Sequence, residues 1–186
     1  VILGVTGGIA AYKAAGLAST LTQAGVDVHV VMTEHASALV GPPTFQALTG
    51  HPVVRALFHL EAPGSGMPHI DLAAEGDLLL VAPATANFLG KLASGIADDA
   101  LSTAALSFRG PVLVAPAMNS RLWEHPAVQR NAQALKDFGV EFLGPETGHL
   151  ACEEEGVGRM AEPEAIVARV LELLGLARRD PSPGSP

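Results

Sequence analysis

The sequence is poor in several things at once. It has one cysteine, one tryptophan, one tyrosine and three lysines in 186 residues, and only 16% of the chain is charged. A single thiol cannot form an internal disulfide or a cysteine-based zinc site, so a reducing, cytoplasmic compartment is expected. No His-Glu-x-x-His or Cys/His ligand spacing is present, so the sequence does not indicate a metal. Basic residues number 11 against 19 acidic, a net charge of −8, the wrong sign for a duplex DNA partner. No apolar run approaches the roughly 18 residues of a membrane span; the richest stretch, Leu78 to Gly90, is broken by Thr85 and Asn87. No basic leader with a cleavage site is visible. There is no Gly-x-Ser-x-Gly elbow, no P-loop and no complete Gly-x-Gly-x-x-Gly fingerprint.

What is present is apolar. Hydrophobic residues make up 48% and mean hydropathy is +0.33. A chain of this size with that composition folds around a real core. The excess hydropathy suggests surface buried between subunits. Short β-branched or leucine-rich runs at Val1–Thr6, Val26–Thr33, Asp77–Ala82 and Pro111–Ala115 predict buried strands, with a shorter one at Val140–Leu143. Pro83 and Pro116 are expected to end two of them. Helical segments are expected at Ile9–Ala24, closed by Gly25, in short pieces between Glu34 and Gly50, at Ala84–Ser94, Asp98–Phe108, Pro126–Phe138 and Pro163–Leu174. Glu61–Pro68 reads as a mobile glycine-proline loop, and Thr147–Met160 as a loop or hairpin. Strands alternating with helices, and apolar on both faces, imply a doubly wound α/β parallel sheet with helices on both faces. Residues 1–176 form one domain. Residues 177–186 read as a tail or the start of an interdomain linker.

Ligands of open α/β sheets bind beyond the carboxyl ends of the strands. Four such ends carry small or hydroxylated residues: Thr6-Gly7-Gly8, Thr33, Pro83 to Asn87, and Pro116 to Asn119. Gly7-Gly8 ahead of a helix is either a phosphate cradle or a tight βα turn. Thr33 ends the second strand where a dinucleotide site would want an acid, which favours a mononucleotide such as FMN. Thr85 and Asn87 serve as helix caps, as ligand contacts, or both. Ser102 and Thr103 sit inside a helical segment and either bind a ligand or pack at a subunit contact. Asp98-Asp99 is expected to cap a helix. His69 follows the glycine loop and is either catalytic or merely exposed. The remaining histidines have no recognisable setting. Cys152 lies in a glycine-flanked irregular segment. It is either a small buried hydrophobe or an acid or nucleophile, and the run Glu153 to Glu155 would favour its protonated thiol.

Several segments, taken together and in order, resemble the flavin-dependent cysteine decarboxylases, in particular the branch that acts on 4′-phosphopantothenoylcysteine in coenzyme A biosynthesis. They are Thr6 to Lys13, His69-Ile70, Ala82 to Asn87, Gly95 to Asp99, Pro116 to Asn119 through Trp123, and Ala151-Cys152 through Gly158-Arg159-Met160. The resemblance implies a Rossmann-like, flavodoxin-like homo-oligomeric flavoprotein, a trimer or a dodecamer built of trimers, with FMN between subunits. It assigns the flavin site to Gly7, Gly8, Ile9, Thr33, Thr85, Ala86, Asn87, Phe88 and Ala117, with Ser102 and Thr103 as further candidates. It makes His69 the active-site base, Asn119 the residue that holds the substrate carboxylate, and Cys152 the proton donor. His149, Ala151 and Met160 fall in the segment that closes over substrate.

The implied reaction is decarboxylation of 4′-phosphopantothenoylcysteine to 4′-phosphopantetheine and CO2, with the thiol passing transiently through a thioaldehyde and the flavin as electron sink. Two departures from the family pattern stand out: Leu122 where a methionine is usual, a volume-like exchange, and Glu153 where glycine usually follows the cysteine. The same fold serves peptidyl-cysteine decarboxylases, flavin prenyltransferases and non-catalytic regulatory subunits. Cys152 argues against the first, the lack of a basic substrate-phosphate constellation and of its motifs against the second, and retention of Cys152 with His69 and Asn119 against the third. The resemblance also implies a fused CTP-dependent phosphopantothenate–cysteine ligase beyond the tail.

Overall fold

A computed structural model of the chain describes residues 1–57, 68–149 and 155–176. Five parallel strands form its centre: β1 (Ile2–Val5), β2 (His29–Met32), β3 (Leu79–Ala84), β4 (Val112–Pro116) and β5 (Glu141–Phe142), in the order β2-β1-β3-β4-β5. This is the flavodoxin-like order, whose switch point falls between β1 and β3. Every residue of β1 and β3 is buried. That requires helices on both faces, and alternation of side chains sorts them. On one face Leu3, Val5, Leu80 and Leu113 meet α1 (Ala11–Gln23), through Leu17 and Leu21, and α9 (Pro163–Leu173), through Ile166 and Val170. On the other, Ile2, Leu79, Val81 and Val114 meet α5 (Ala86–Ala93), α6 (Ala100–Ser107) and α8 (Pro126–Asp137) through Leu89, Leu101 and Leu135. Each such leucine contributes about 1.5–3 kcal/mol on burial. Gly4 is required by this packing, since a Cβ there would lie 2.6 Å from Leu101 Cδ1.

Several helices start close to where the sequence places them. Thr33 caps α2 (Glu34–Leu39) by accepting from the Ala36 N–H, and Gly41-Pro42 opens α3 (Pro42–Thr49). Gly25 ends α1 in the left-handed region at φ +83°. The region 147–160 resolves toward the hairpin alternative: β6 (Glu146–His149) pairs antiparallel with β7 (Glu155–Arg159). Three features differ from expectation. Strand β3 does not stop at Pro83 but runs through it, with a cis Ala82–Pro83 peptide and a register shift toward β4 between Val81 and Ala84; proline, lacking an N–H, is tolerated at such an irregularity. A four-residue helix, α7 (Ser120–Trp123), follows Asn119 where no helix was expected. Pro68, expected at the end of a loop, opens α4 (Pro68–Glu75); the rest of the expected loop, 61–67, lies outside the described residues, as do residues 177–186.

Asp99 caps α6 in a full capping box. Its carboxylate accepts from the Ser102 N–H at 2.8 Å while the Ser102 hydroxyl accepts from the Asp99 N–H at 3.1 Å. Burial alone would push the Asp99 carboxyl up, but hydrogen bonds from Lys91 (2.8 Å) and Ser102 outweigh it and hold the group below its ordinary value of 3.8. A depressed folded-state pKa contributes stability that is fully present above that ordinary value and fades as pH falls through the lower folded value. Asp99→Ala is expected to cost about 1–2 kcal/mol in urea unfolding at pH 7. The gap to the parent protein should narrow in acid, below the ordinary carboxylate range. A gap that is constant with pH would show that the Lys91 contact contributes nothing.

Candidate functional site

The carboxyl ends of β1, β3 and β4 converge on one cavity of about 790 Å³, within the usual range for small-molecule sites. Its floor is the first βα turn. Gly8 donates to the Thr6 carbonyl at 2.8 Å and accepts from Ala11, which folds the chain directly into α1. This helix has no side-chain cap. Helices α2, α5, α6, α7 and α8 all have one, and α3 and α9 begin with proline instead. The longest helix of the sheet thus presents an uncapped N-terminus, with its positive dipole end, to the cavity.

Thr6 ties the first and third strand ends together. Its buried hydroxyl donates to the Pro83 carbonyl at 2.7 Å and accepts from the Thr85 N–H at 3.1 Å. The sequence marks Thr6 only as part of a glycine turn; a hydroxyl immediately before Gly-Gly at a buried strand end was the available signal. Thr85 in turn caps α5 through the Phe88 N–H. Asn119 caps α7, its side-chain oxygen accepting from the Arg121 N–H at 2.9 Å. The capping alternative is therefore realised at Thr85 but not at Asn87, which lies inside the first turn of α5; Thr33 and Asn119 cap helices as well, and capping is compatible with a ligand because it fixes these residues at the strand ends.

The far wall comes from the hairpin. The Met118 N–H donates to the Gly158 carbonyl at 2.9 Å, which brings β7 against the loop after β4 and places Arg159 and the buried Met160 on the cavity. Lys13, on α1, and Arg159, on β7, both line the cavity, and both pair with Glu162, Lys13 at 3.7 Å. Ile9, Tyr12 and Leu122 form an exposed apolar rim, each at least half exposed.

Of the residues singled out from sequence, Gly7, Gly8, Ile9, Thr85, Ala86, Asn87, Ala117, Asn119 and Met160 share this cavity. Thr33 and Phe88 line an adjoining hollow of about 410 Å³, whose walls include Gly7, Thr85 and Asn87 as well. Ser102 and Thr103 line neither of these cavities. Both hydroxyls donate to the Asp99 carbonyl, at 3.1 and 2.8 Å, and Ser102 is wholly buried; the geometry gives them a structural duty at the start of α6. His69 lies in the first turn of α4 and His149 at the end of β6, and only their backbones are described. Ala151 and Cys152 lie outside the described residues. Among the described residues, no helix is long and apolar enough to cross a membrane.

The donor set suits an anionic mononucleotide: a glycine pair, an uncapped helix start, a threonine hydroxyl and small apolar walls at Ala86 and Ala117. Comparisons with known proteins agree in kind. Residues 1–175 match the Flavoprotein family. The chain is 53% identical over 167 residues to the coenzyme A biosynthesis bifunctional protein CoaBC of Bacillus subtilis, covering 90% of this chain and 41% of that protein. It is 45% identical over 183 residues to the corresponding protein of Mycobacterium tuberculosis, covering 98% and 43%. The chain thus spans about two fifths of the length of these relatives. Among solved structures it superposes on the FMN-dependent cysteine decarboxylase SpaF with a TM-score of 0.79 at 35% identity, covering 93% and 95% of the two chains. It superposes on a cysteine-to-serine mutant of a PPC decarboxylase complexed with pantothenoylaminoethenethiol with a TM-score of 0.84 at 28% identity, covering 94% and 97%.

Proposed function

Because the chain belongs to the Flavoprotein family, we propose that its cavity holds FMN and that it decarboxylates 4′-phosphopantothenoylcysteine to 4′-phosphopantetheine, as one part of a longer bifunctional protein of coenzyme A biosynthesis. The observation that carries this reading is the meeting, on one cavity, of the uncapped α1 start, the Thr85–Asn87 turn and Asn119. The named relatives supply the substrate class.

The amides of the Gly7-Gly8-Ile9 turn and the α1 dipole would hold the FMN phosphate, with Thr33 and Thr85 adding hydroxyls. Ala86 and Ala117 leave room for a flat ring. Bound FMN supplies a two-electron sink, without which a cysteine-derived carboxylate has nowhere to place the charge left by CO2. The chain's own residues do the rest. Asn119 holds the substrate carboxylate on the wall between β4 and α7. His69 takes the thiol proton. Lys13 and Arg159 attract an anionic substrate that carries both a carboxylate and a phosphate. The hairpin, through Met160, excludes water from the reacting carbons. Cys152 returns a proton in the second half of the reaction, and His149 and Ala151 belong to the same closing segment. The exposed rim of Ile9, Tyr12 and Leu122 is the surface a second copy would cover, which supports a homotrimeric or dodecameric assembly. The domain ends near residue 176, and the part of the longer protein beyond it would supply the CTP-dependent ligase. The whole would act in the cytoplasm.

The test uses the purified protein with FMN and 4′-phosphopantothenoylcysteine. The parent protein is expected to release CO2 and phosphopantetheine in equal amounts. Without air, Cys152→Ser is expected to release about one CO2 per bound flavin, which stays reduced, yet form at least about 100-fold less phosphopantetheine, leaving the unsaturated thiol, because general acid catalysis contributes about 10²–10⁴-fold. Normal product from the variant removes Cys152 from the mechanism. No CO2 from a flavin-loaded parent protein overturns the substrate assignment.

A further inference from the structure

A second cluster of chemistry lies at the opposite end of the sheet from the cavity. Asp27 precedes β2 and His29 is its first residue, whereas Thr33, at the cavity side, follows its last. Residues two apart on an extended segment share a face, so Asp27 and His29 point the same way. His51 arrives from elsewhere. It follows Gly50, which ends α3 in the left-handed region at φ +76°, and the chain beyond it joins the edge of β2. There the Val54 N–H donates to the Val30 carbonyl and the Val54 carbonyl accepts from the Met32 N–H, both at 2.9 Å.

The outcome is a convergent set of donor atoms. His29 Nε2 lies 3.1 Å from one carboxylate oxygen of Asp27, and His51 Nε2 lies 2.7 Å from the other. The two rings stack with centroids 4.0 Å apart and planes 22° apart, so both Nε2 atoms face the same carboxylate. All three donor atoms fall within 4.8 Å of one another. The side chains are reachable from solvent, at 30%, 36% and 72% exposed for His29, His51 and Asp27.

We propose that Asp27, His29 and His51 form a binding site for one divalent transition-metal ion of the Zn²⁺ type. Two imidazoles and a carboxylate are a donor set that suits borderline ions. A tetrahedral ion with bonds of about 2.0–2.1 Å keeps its donor atoms about 3.3 Å apart. The observed nitrogen-to-oxygen separations, 3.1 and 2.7 Å to the two carboxylate oxygens, need to open by about 0.2 and about 0.6 Å, with the carboxylate turning to offer one oxygen. Without the ion, each Nε2 donates its proton to the carboxylate. With it, each Nε2 gives its lone pair to the metal and its proton moves through water to Nδ1. Asp27 supplies the anionic ligand, since an aspartate is ionised at neutral pH. Water completes the coordination on the exposed side.

The site would act as a clip. It joins the start of β2 to the segment that adds Val54 to the sheet edge, closing the loop that contains α2 and α3. It uses none of the residues assigned to the flavin cavity, so it stands or falls separately from the decarboxylase reading.

The experiment is a titration of the chelator-treated full chain with Zn²⁺ against a chromogenic competitor, with the Zn²⁺ effect on Tm read in parallel. One ion per chain is expected, together with a rise in Tm. His29→Ala and His51→Gln should each weaken that binding at least about tenfold and abolish the Tm rise. His125→Asn, which keeps the acceptor that caps α8, should change neither. Flavin content should be the same in all four proteins, which shows that the variants fold. Absence of Zn²⁺ binding to the parent below about 100 μM, or equal binding by the His29 and His51 variants, overturns the proposal and leaves the cluster a hydrogen-bonded trio.

Discussion

Gly158→Ala is expected to reduce kcat for decarboxylation by about 100-fold while leaving most of the flavin bound. A Cβ at residue 158 would lie 2.2 Å from the Met118 carbonyl oxygen and 3.3 Å from the Met118 carbonyl carbon and the Ser120 nitrogen. All three obstacles are backbone, so no side chain can rotate away. The contact is also where the Met118 N–H meets the Gly158 carbonyl at 2.9 Å. To admit a methyl group, β7 must move off the loop that precedes α7, or that loop must move with Asn119 at its end. Either shift takes the Asn119 amide, proposed to hold the substrate carboxylate, and the hairpin wall out of register. A displacement of about 1 Å at a reacting centre costs about 10²-fold. Overpacking of this kind costs about 1–3 kcal/mol of stability, which a core of this size tolerates. Steady-state kinetics with a visible spectrum of the same sample separates the two effects. A variant with unchanged kcat would show that the hairpin is not part of the working site.

Neither the obstacle at Gly158 nor its consequence is visible along the sequence. The chain places Met118 and Gly158 some forty residues apart, and only the folded hairpin brings them together. The same holds for His29 and His51, which have no ligand spacing in the linear sense and meet only because the segment after α3 returns to the edge of β2. The central strands, by contrast, were legible, because a strand buried on both faces must be apolar throughout, and Leu79, Leu80 and Val81 obey that rule. Where local rules compete, the reading slips. Pro83 looks like a terminator, yet it sits at a register shift where no ladder N–H is needed. Ser102 looks like a misplaced hydroxyl in a helix, and its reason is the Asp-x-x-Ser capping box three residues back. Asn119 reads as a ligand residue from resemblance alone, but its capping bond to Arg121 shows how the fold holds it in place. The helix it starts is too short for periodicity to reveal.

Gly7→Ala tests the other wall. A Cβ at residue 7 would lie 2.3 Å from His35 Cβ and 3.1–3.2 Å from the His35 backbone. His35 cannot retreat easily. It sits in the first turn of α2, which Thr33 fixes through its side-chain cap to Ala36 and through a backbone bond from Thr33 to Val5 at 3.1 Å. The glycine turn must therefore shift toward the cavity, and the amides proposed to hold the FMN phosphate lose their alignment. Hydrogen bonds to a charged group contribute about 1.5–3 kcal/mol each, so loss of one or two weakens FMN by about 10- to 10⁴-fold. The variant should purify nearly colourless and show that shift in a flavin fluorescence titration. Removing the opposing Cβ with a second change, His35→Gly, leaves only the 3.1–3.2 Å backbone contacts and should restore part of the affinity. If Gly7→Ala keeps full flavin affinity, the phosphate is not held at this turn. If His35→Gly fails to restore any of the loss, the turn is damaged by something other than the contact across to α2.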